Sequence, residues 1–435
     1  MTYEQAVQYL EEASFFGIKP GLERITALLA ELGNPEKSYK IVHVTGTNGK
    51  GSVTTYVSYA LFNSGLRVGR FTSPHLESYT ERMHINDANI SEDGFGALIE
   101  RVKPAVDAII AKGIEAPTQF EILTAAAFLF FQEQEVDYAV VEVGLGGLLD
   151  STNVVTPVVS VITNVSIDHQ AYCGNTIEEI AHHKAGIIKE GIPVVTAAQG
   201  GALNVIEDEA TAKHAPLYVF NKRFGIGSRS SMKTGQMVTV STEDGQPAML
   251  FTSLVGIHQA VNISCALMTV RLLMDQDSSI SEETMREGFA RATWPGRFEI
   301  KKHNDRTYIF DGAHNAAGAE AFGMTYKELF KDEPKTIIMA ILSDKDEQAI
   351  IREVVKPQDT VYTVPAPTPR SENPLALGKT ISDMVKTAEV EVSTTVSDAL
   401  TTATETTKSG DTIVVCGSLY ILGEARAWLQ QQDSH

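Results

Sequence analysis

The segment Ile41-Val-His-Val-Thr-Gly-Thr-Asn-Gly-Lys-Gly-Ser52 is the part of this chain best equipped for chemistry. A β-branched apolar run enters a Gly-rich turn, followed by Lys50, a hydroxyl at Ser52 and a helical stretch. That order suits an anion. Backbone N–H groups of Gly46, Thr47, Asn48, Gly49 and Gly51, with the helix N-terminus behind them, attract phosphate oxygens. Lys50 can reach the β- and γ-phosphates of ATP, and the Ser52 hydroxyl can bind Mg²⁺. The GxxxxGK[ST] spacing is not met, because Val44 stands where the first Gly would be and Gly51 separates Lys50 from the hydroxyl. The alternative is a Gly-rich turn with a solvated lysine, and the strand–loop–helix context favours nucleotide binding over it.

Five further groups carry candidate chemistry. Glu142 ends the apolar run Ala139–Glu142, where a carboxylate suits a hard cation such as Mg²⁺. Asp168-His169 follows an apolar strand. His is an unusual Mg²⁺ ligand, so on chemistry alone His169 reads as a hydrogen-bonded core or surface histidine. Lys184, in His182-His-Lys-Ala-Gly186, reads on its residues alone as a helix-surface lysine. Asp311-Gly-Ala-His-Asn315 follows a strand, at the carboxyl end where open α/β sheets bind ligands, or else is an Asp-Gly turn. Arg297 could make bidentate phosphate contacts or an ordinary interdomain salt bridge.

The elements that must position these groups alternate. Tyr39–Val44, Tyr138–Val143 and Val158–Thr163 read as strands. Val53–Ser64, Thr118–Glu133 and Thr176–Lys189 read as helices, the last opened by a capping box of Thr176 and Glu179. Alternation of this kind predicts a parallel, doubly wound sheet. Leu217–Leu254 breaks the pattern with short alternating pieces between Gly, Ser and Asp, which predicts an antiparallel ribbon. A helix over Gln259–Met274 follows, then a hinge at Trp294-Pro-Gly-Arg297. Strands at Thr307–Phe310, Thr336–Leu342, Thr360–Val364 and Thr412–Cys416 open a second Rossmann-like α/β unit of about 140 residues.

Composition bounds the partners. The 435 residues suffice for two domains. A net charge of −19 argues against a nucleic-acid or anionic-membrane surface, so a phosphate site must be built locally. Apolar runs such as Ala125–Phe131 fall short of the roughly 18–20 residues of a spanning helix. The acidic N-terminus does not read as a secretory signal. Three dispersed cysteines suggest neither a disulfide framework nor a zinc site, so a cytoplasmic setting is expected.

Taken in order, the motifs resemble the Mur ligase superfamily and, within it, the folylpolyglutamate synthase/dihydrofolate synthase family. The resemblance rests on Gly46–Ser52, Ser73-Pro-His-Leu76 with Glu81-Arg82, Phe120-Glu121, Glu142-Val-Gly-Leu-Gly-Gly147, Asp150-Ser-Thr-Asn153 and Asp168-His169. It continues through His183-Lys-Ala-Gly186, His258-Gln259 with Asn262, Trp294-Pro-Gly-Arg297, Asp311–Asn315 and Gly417-Ser-Leu-Tyr420. The Lys-Gly-Ser ending that spoils the generic spacing is what this family looks like. Murein-type relatives carry an extra N-terminal domain, for which the roughly 40 residues before the loop are too few.

The resemblance implies a P-loop NTPase-like domain over residues 1–294 and a C-terminal Rossmann-like domain over 295–435. It implies ATP held by Gly46–Ser52, Asn262, Arg297, Asp311 and His314. It implies two Mg²⁺ sites drawing on Ser52, Glu142 and His169, and a carbamylated Lys184. Lys50, His169 and Lys184 are the expected catalytic residues. Ser73, Pro74, His75, Arg82, Phe120, Asp150 and Ser151 are the expected substrate contacts, with a cis bond before Pro74. Substrates would be a folate or dihydropteroate, L-glutamate and ATP, handled by a monomer without nucleic acid or membrane. Bifunctional members resemble Gly-Gly-Arg-Leu-Asp-Ala-Thr-Asn where this chain has Gly146-Gly-Leu-Leu-Asp-Ser-Thr-Asn153, which leaves dihydropteroate use open. A P-loop kinase, another Mur-type ligase and a non-catalytic nucleotide switch are the rival readings.

Overall fold

The computed structural model describes residues 1–14, 17, 19–243 and 245–433. The chain separates into two compact units. One comprises Met1–Ser228, Val238–Phe251 and Val261–Ala292, the other Arg229–Met237, Thr252–Ala260 and Thr293–His435.

The first unit is built on an eight-stranded sheet. Its strand order is 88–89, 83–85, 68–71, 138–142, 40–45, 159–162, 194–196, 217–219. The six strands from 68–71 onward run parallel, and only the 83–85 and 88–89 strands are antiparallel. The central strand Lys40–Thr45 is buried from Ile41 onward, as expected of a strand covered on both faces. One face packs under a core that includes Leu10, Leu28, Phe95, Ile122, Phe128 and Phe131. Ile162, Ala181, Ile187 and Ile206 form a separate core that also includes Val194 of strand 194–196.

The second unit carries a six-stranded sheet in the order 299–303, 306–310, 412–416, 335–339, 360–363, 389–392. Only Glu299–His303 is antiparallel. Its core gathers Ile309, Phe322, Tyr326, Ile337, Val361 and Val414. Two α/β units with parallel-rich sheets are thus present, as the alternation predicts.

Several bounds differ. The helix after the loop begins at Lys50, so the lysine and Ser52 belong to its first turn. The capping box at Thr176 is present, but its helix stops at Ala185, where Gly186 ends it, rather than at Lys189. The ribbon is the three-stranded sheet 224–232, 235–242, 245–252, while Leu217–Val219 joins the parallel sheet instead. Helix Ile257–Met274 is long and apolar enough, on length and composition alone, to cross a bilayer. A search for unbroken apolar runs overlooks it, because polar residues interrupt its sequence. Within the protein 72% of it is buried, so it packs as a core helix.

Candidate active site

The strand Lys40–Thr45 delivers the Gly-rich loop to the carboxyl edge of the sheet. Gly46 has φ +151 and Gly49 φ +84, both in the region L side chains avoid. A Cβ on Gly46 would lie 1.8 Å from Thr163 Oγ1, and one on Gly49 would lie 2.4 Å from Asn262 Oδ1. Asn262, buried on helix Ile257–Met274, is therefore packed against the loop. Lys50 turns back over it, donating to Gly46 O at 3.0 Å and Thr47 O at 3.2 Å. Ser52 is buried in the first helical turn.

Glu142 pairs in register with Val44, on the adjacent parallel strand, so its carboxylate emerges beside the loop. It is 4% exposed, and its Oε2 accepts from the backbone N–H of Ser73 at 3.1 Å. The Ser73–Pro74 bond is cis. The turn after it is fixed by Glu81, whose carboxylate accepts from the N–H groups of Leu76, Glu77 and Ser78, each at 2.8 Å. Arg82 Nε donates to His75 Nδ1 at 2.9 Å, and burial, then the Arg82 charge, push the His75 imidazole down to about 3.

Phe120 stacks on Phe71 at a centroid distance of 5.9 Å and lies over Gly144. Asp150 and Ser151 are both buried. Asp150 accepts from Leu145 N at 2.8 Å, Thr152 N at 3.0 Å and Thr152 Oγ1 at 2.6 Å, and burial raises its pKa. The Ser151 hydroxyl pairs with Thr124 Oγ1 at 2.8 Å. Both side chains therefore shape the Gly144–Asn153 turn from inside.

Lys184 is not a surface lysine. It is 4% exposed, on the buried face formed by Ile180, Ala181, Lys184 and Ala185. Gly147 lies against its Cα, and Leu148 N donates to His183 O at 2.7 Å. Burial, then the charge of Lys50, bring its amine down to about 7, while Cys173, Asp168 and Asp150 act in the opposite sense. Lys50, Asp150, Asp168 and Lys184 are thus electrostatic neighbours. His169 has an exposed side chain and a left-handed backbone, φ 52, at the head of the short helix Gln170–Cys173. Its N–H donates to Asp168 Oδ1 at 2.8 Å. Among the described residues no three His, Cys, Asp or Glu side chains converge as a metal cluster.

In the second unit Asp311 is buried and accepts from Phe298 N and Ala313 N, each at 2.8 Å. Burial raises its pKa, opposed by the Arg297 charge. Gly312 sits against Arg297 Nη1, and His314 Nδ1 lies 2.8 Å from Gly312 O. Arg297, Asp311 and His314 are thereby brought together.

Known proteins match this arrangement along its whole length. The Mur ligase middle domain matches residues 44–270, and the dihydrofolate synthetase C-terminal domain matches residues 297–428. A dihydrofolate synthase/folylpolyglutamate synthase of Bacillus subtilis is 37% identical over 98% of this chain and 99% of its own. The chain belongs to the folylpolyglutamate synthase/dihydrofolate synthase family. Mycobacterium tuberculosis folylpolyglutamate synthase, solved with ADP, superposes with a TM-score of 0.90 at 32% identity over 98% of this chain and 97% of that one. A folylpolyglutamate synthase solved with AMPPCP and folate gives 0.84 at 33% identity over 99% and 100%.

Within this synthase-family fold, Thr163 and Asn164 are residues to which the motif reading gives no role, while Glu81 enters it only as part of a motif. Asn164 and Thr163 clamp Asn48, and Glu81 clamps the Ser73–Ser78 turn. Their signal was position: Thr163-Asn164 directly follows the strand beside the one that carries the loop.

Proposed function

We propose that this protein is an ATP-dependent ligase that adds L-glutamate to the γ-carboxylate of a reduced folate. The observation that carries the reading is the loop itself. Lys50 and Ser52 occupy the first turn of the helix, and Glu142 stands in register beside the strand that feeds it.

The chemistry proceeds through an acyl phosphate. A carboxylate oxygen of the folate attacks the γ-phosphorus of ATP, the bond to the β-γ bridging oxygen breaks, and ADP leaves. The glutamate amine then attacks the acyl carbon, phosphate departs, and the amine gives up a proton. Two anions meet in the first step. Lys50 and the N–H groups of the helix mouth offset that repulsion and follow the charge as it shifts. Asn262, packed on Gly49, and Arg297, Asp311 and His314 are assigned to ATP. Arg82, His75, Ser73, Pro74 and Phe120 are assigned to the acyl and amine substrates. Asp150 and Ser151 act through the shape of their turn.

A hard oxygen donor set suits Mg²⁺, and the buried Glu142 carboxylate and the buried Ser52 hydroxyl are assigned to one. His169 would complete it from the neighbouring loop. Bound there, Mg²⁺ would neutralise phosphate charge. Lys184 is assigned as a carbamate. A buried amine brought down to about 7 is substantially neutral near physiological pH and able to add CO₂. The product is an anion, which removes a like charge beside Lys50. A two-domain organisation at 1–294 and 295–435 is supported by the two family matches, a cytoplasmic setting fits three cysteines that are buried and unbridged, and the chain is assigned as a monomer.

The test is ADP release with Mg·ATP and glutamate, comparing a reduced folate with dihydropteroate. Turnover with the folate alone makes it a dedicated polyglutamylating enzyme. Turnover with both adds dihydrofolate synthase activity, the second reading, which the doubly named B. subtilis relative favours. Turnover with neither overturns the assignment.

A further inference from the structure

The phosphate loop is held by something other than its own sequence. Parallel pairing of strands 40–45 and 159–162 ends at Thr45 and Ile162, yet the cross-links continue past it. Thr163 N donates to Thr45 O at 2.9 Å, and Thr47 N donates to Asn164 O at 3.0 Å. Thr47 Oγ1 donates to Ser166 O at 3.1 Å and accepts from Ser166 N at 3.0 Å.

At Asn48 a side chain replaces the missing strand. The Asn164 amide pairs with the Asn48 peptide in both directions, Oδ1 accepting from Asn48 N at 3.0 Å and Nδ2 donating to Asn48 O at 2.9 Å. Thr163 Oγ1 donates to the same carbonyl at 2.6 Å. The Asn48 carbonyl is thus held by two donors and turned toward the 163–164 segment, away from any anion. The N–H groups of Thr47 and Asn48 are committed there as well. Anion recognition is left to the helix mouth at residues 49–52.

We propose that Asn164 is a positioning residue for the phosphate loop: its amide acts as one rung of a strand, orienting the Asn48 peptide so that residues 49–52 present their N–H groups to the nucleotide. A carbonyl rotated toward the phosphates would oppose them with its negative end. Asn is suited to the place because one planar group offers a donor and an acceptor together. The inference rests on the assignment of this loop to ATP.

The experiment is calorimetric binding of Mg·ADP to the full chain, with steady-state KM for ATP and kcat alongside. Asn164→Leu keeps the number of side-chain heavy atoms and removes both hydrogen bonds, and Thr163→Val removes the third. Asn164→Leu is expected to weaken ADP binding about tenfold and to raise KM for ATP similarly, with kcat at saturating ATP nearly unchanged. Because both residues act on one peptide, the double variant should lose less than the product of the single losses or more, but not the product itself. Asn164→Ser serves if the Leu variant fails to fold, and the same direction is expected. Wild-type ADP affinity in a folded Asn164 variant overturns the inference, and so does a fall in kcat or in melting temperature without a change in affinity. Failure of the unsubstituted protein to bind ADP instead removes the nucleotide assignment, and the inference with it.

Discussion

The backbone N–H of Ser73 donates to Glu142 Oε2 across 3.1 Å, tying the cis-Pro74 loop to the carboxylate that stands beside the phosphate loop. One oxygen of Glu142 thus has a structural donor, and the group as a whole carries the charge assigned to Mg²⁺. Glu142→Gln keeps an acceptor for Ser73 and removes the charge. It should leave the fold intact and lower kcat by about 10²–10³. The Mg²⁺ concentration for half-maximal ADP release should rise as well. A variant with an unaltered Mg²⁺ titration would count against Glu142 as a ligand.

Lys50 donates to two carbonyls of its own loop, so it is already bent over the place a phosphate would occupy. Lys50→Ala should cost about 10²-fold or more in kcat. The side chain is only half-buried, so the variant's melting temperature should stay close to that of the unsubstituted protein. Near-normal ligation by Lys50→Ala would rule out the acyl-phosphate scheme in the form given above.

The sequence disclosed what is local. A strand, a Gly-rich turn and a helix lie within Lys40–Asn63, and periodicity with caps is enough to read them. On its residues alone Lys184 reads as a surface lysine, because a lysine on a helix is usually solvated; the structure buries it, and only the family resemblance places it in the site. Its spacing from Ile180 nevertheless put it on the apolar face, and that signal was available. The Asn164 clamp was legible only as a position, at the end of the strand beside the one that carries the loop. It joins residues 116 apart, and nothing in either segment announces the other. Asp150 and Ser151 enter the sequence reading only as expected substrate contacts, and their burial and hydrogen bonds to Thr152 and Thr124 emerge only in the fold.

The second unit contains a buried ion pair away from any proposed chemistry. Lys335 Nζ lies 2.7 Å from Asp359 Oδ2, with side chains 2% and 1% exposed. Asp359 also accepts from Lys335 N at 3.1 Å and Lys356 N at 2.8 Å. Lys335→Met would strand the carboxylate among backbone donors alone, costing about 3–5 kcal/mol. Lys335→Met with Asp359→Leu should cost less than the two single changes added together. Urea denaturation of the four proteins measures both. Strict additivity would mean the two side chains do not interact.

Acid should destabilise the first unit above the carboxylate range. Burial, then the charge of Lys189, push His43 down to about 3, and burial, then Arg70, push His84 down to about 2. Both rings stay neutral in the folded chain, while the unfolded chain takes up protons near pH 6.5. Below that point the unfolded state binds more protons, so stability falls as pH falls. The slope is roughly 1.4 kcal/mol per pH unit for each ring. Urea midpoints between pH 7.5 and 5 should show it, and His84→Gln should remove one ring's share. An unchanged slope in that variant would show that His84 titrates normally.

Lys184 gives the sharpest chemical test. Its amine is buried, lies near Lys50 and is brought down to about 7, so neutral amine accumulates as pH rises through that value. Under the carbamate assignment the amine nitrogen would add to the carbon of CO₂ and a proton would leave. The result would be a carbamate anion in place of a cation. Degassed protein at pH 8 should therefore lose activity several-fold, and bicarbonate should restore it. A carbamate signal should appear in the ¹³C spectrum after incubation with ¹³CO₂ and be missing from Lys184→Ala. That variant should lose about 10²-fold in kcat and regain part of it with acetate or propionate, which can place a carboxylate in the vacated space. Activity indifferent to CO₂, with no ¹³C signal, would mean that Lys184 works as an amine. The like charge beside Lys50 would then have to be offset by Asp168 and Asp150, the two carboxylates already in its field.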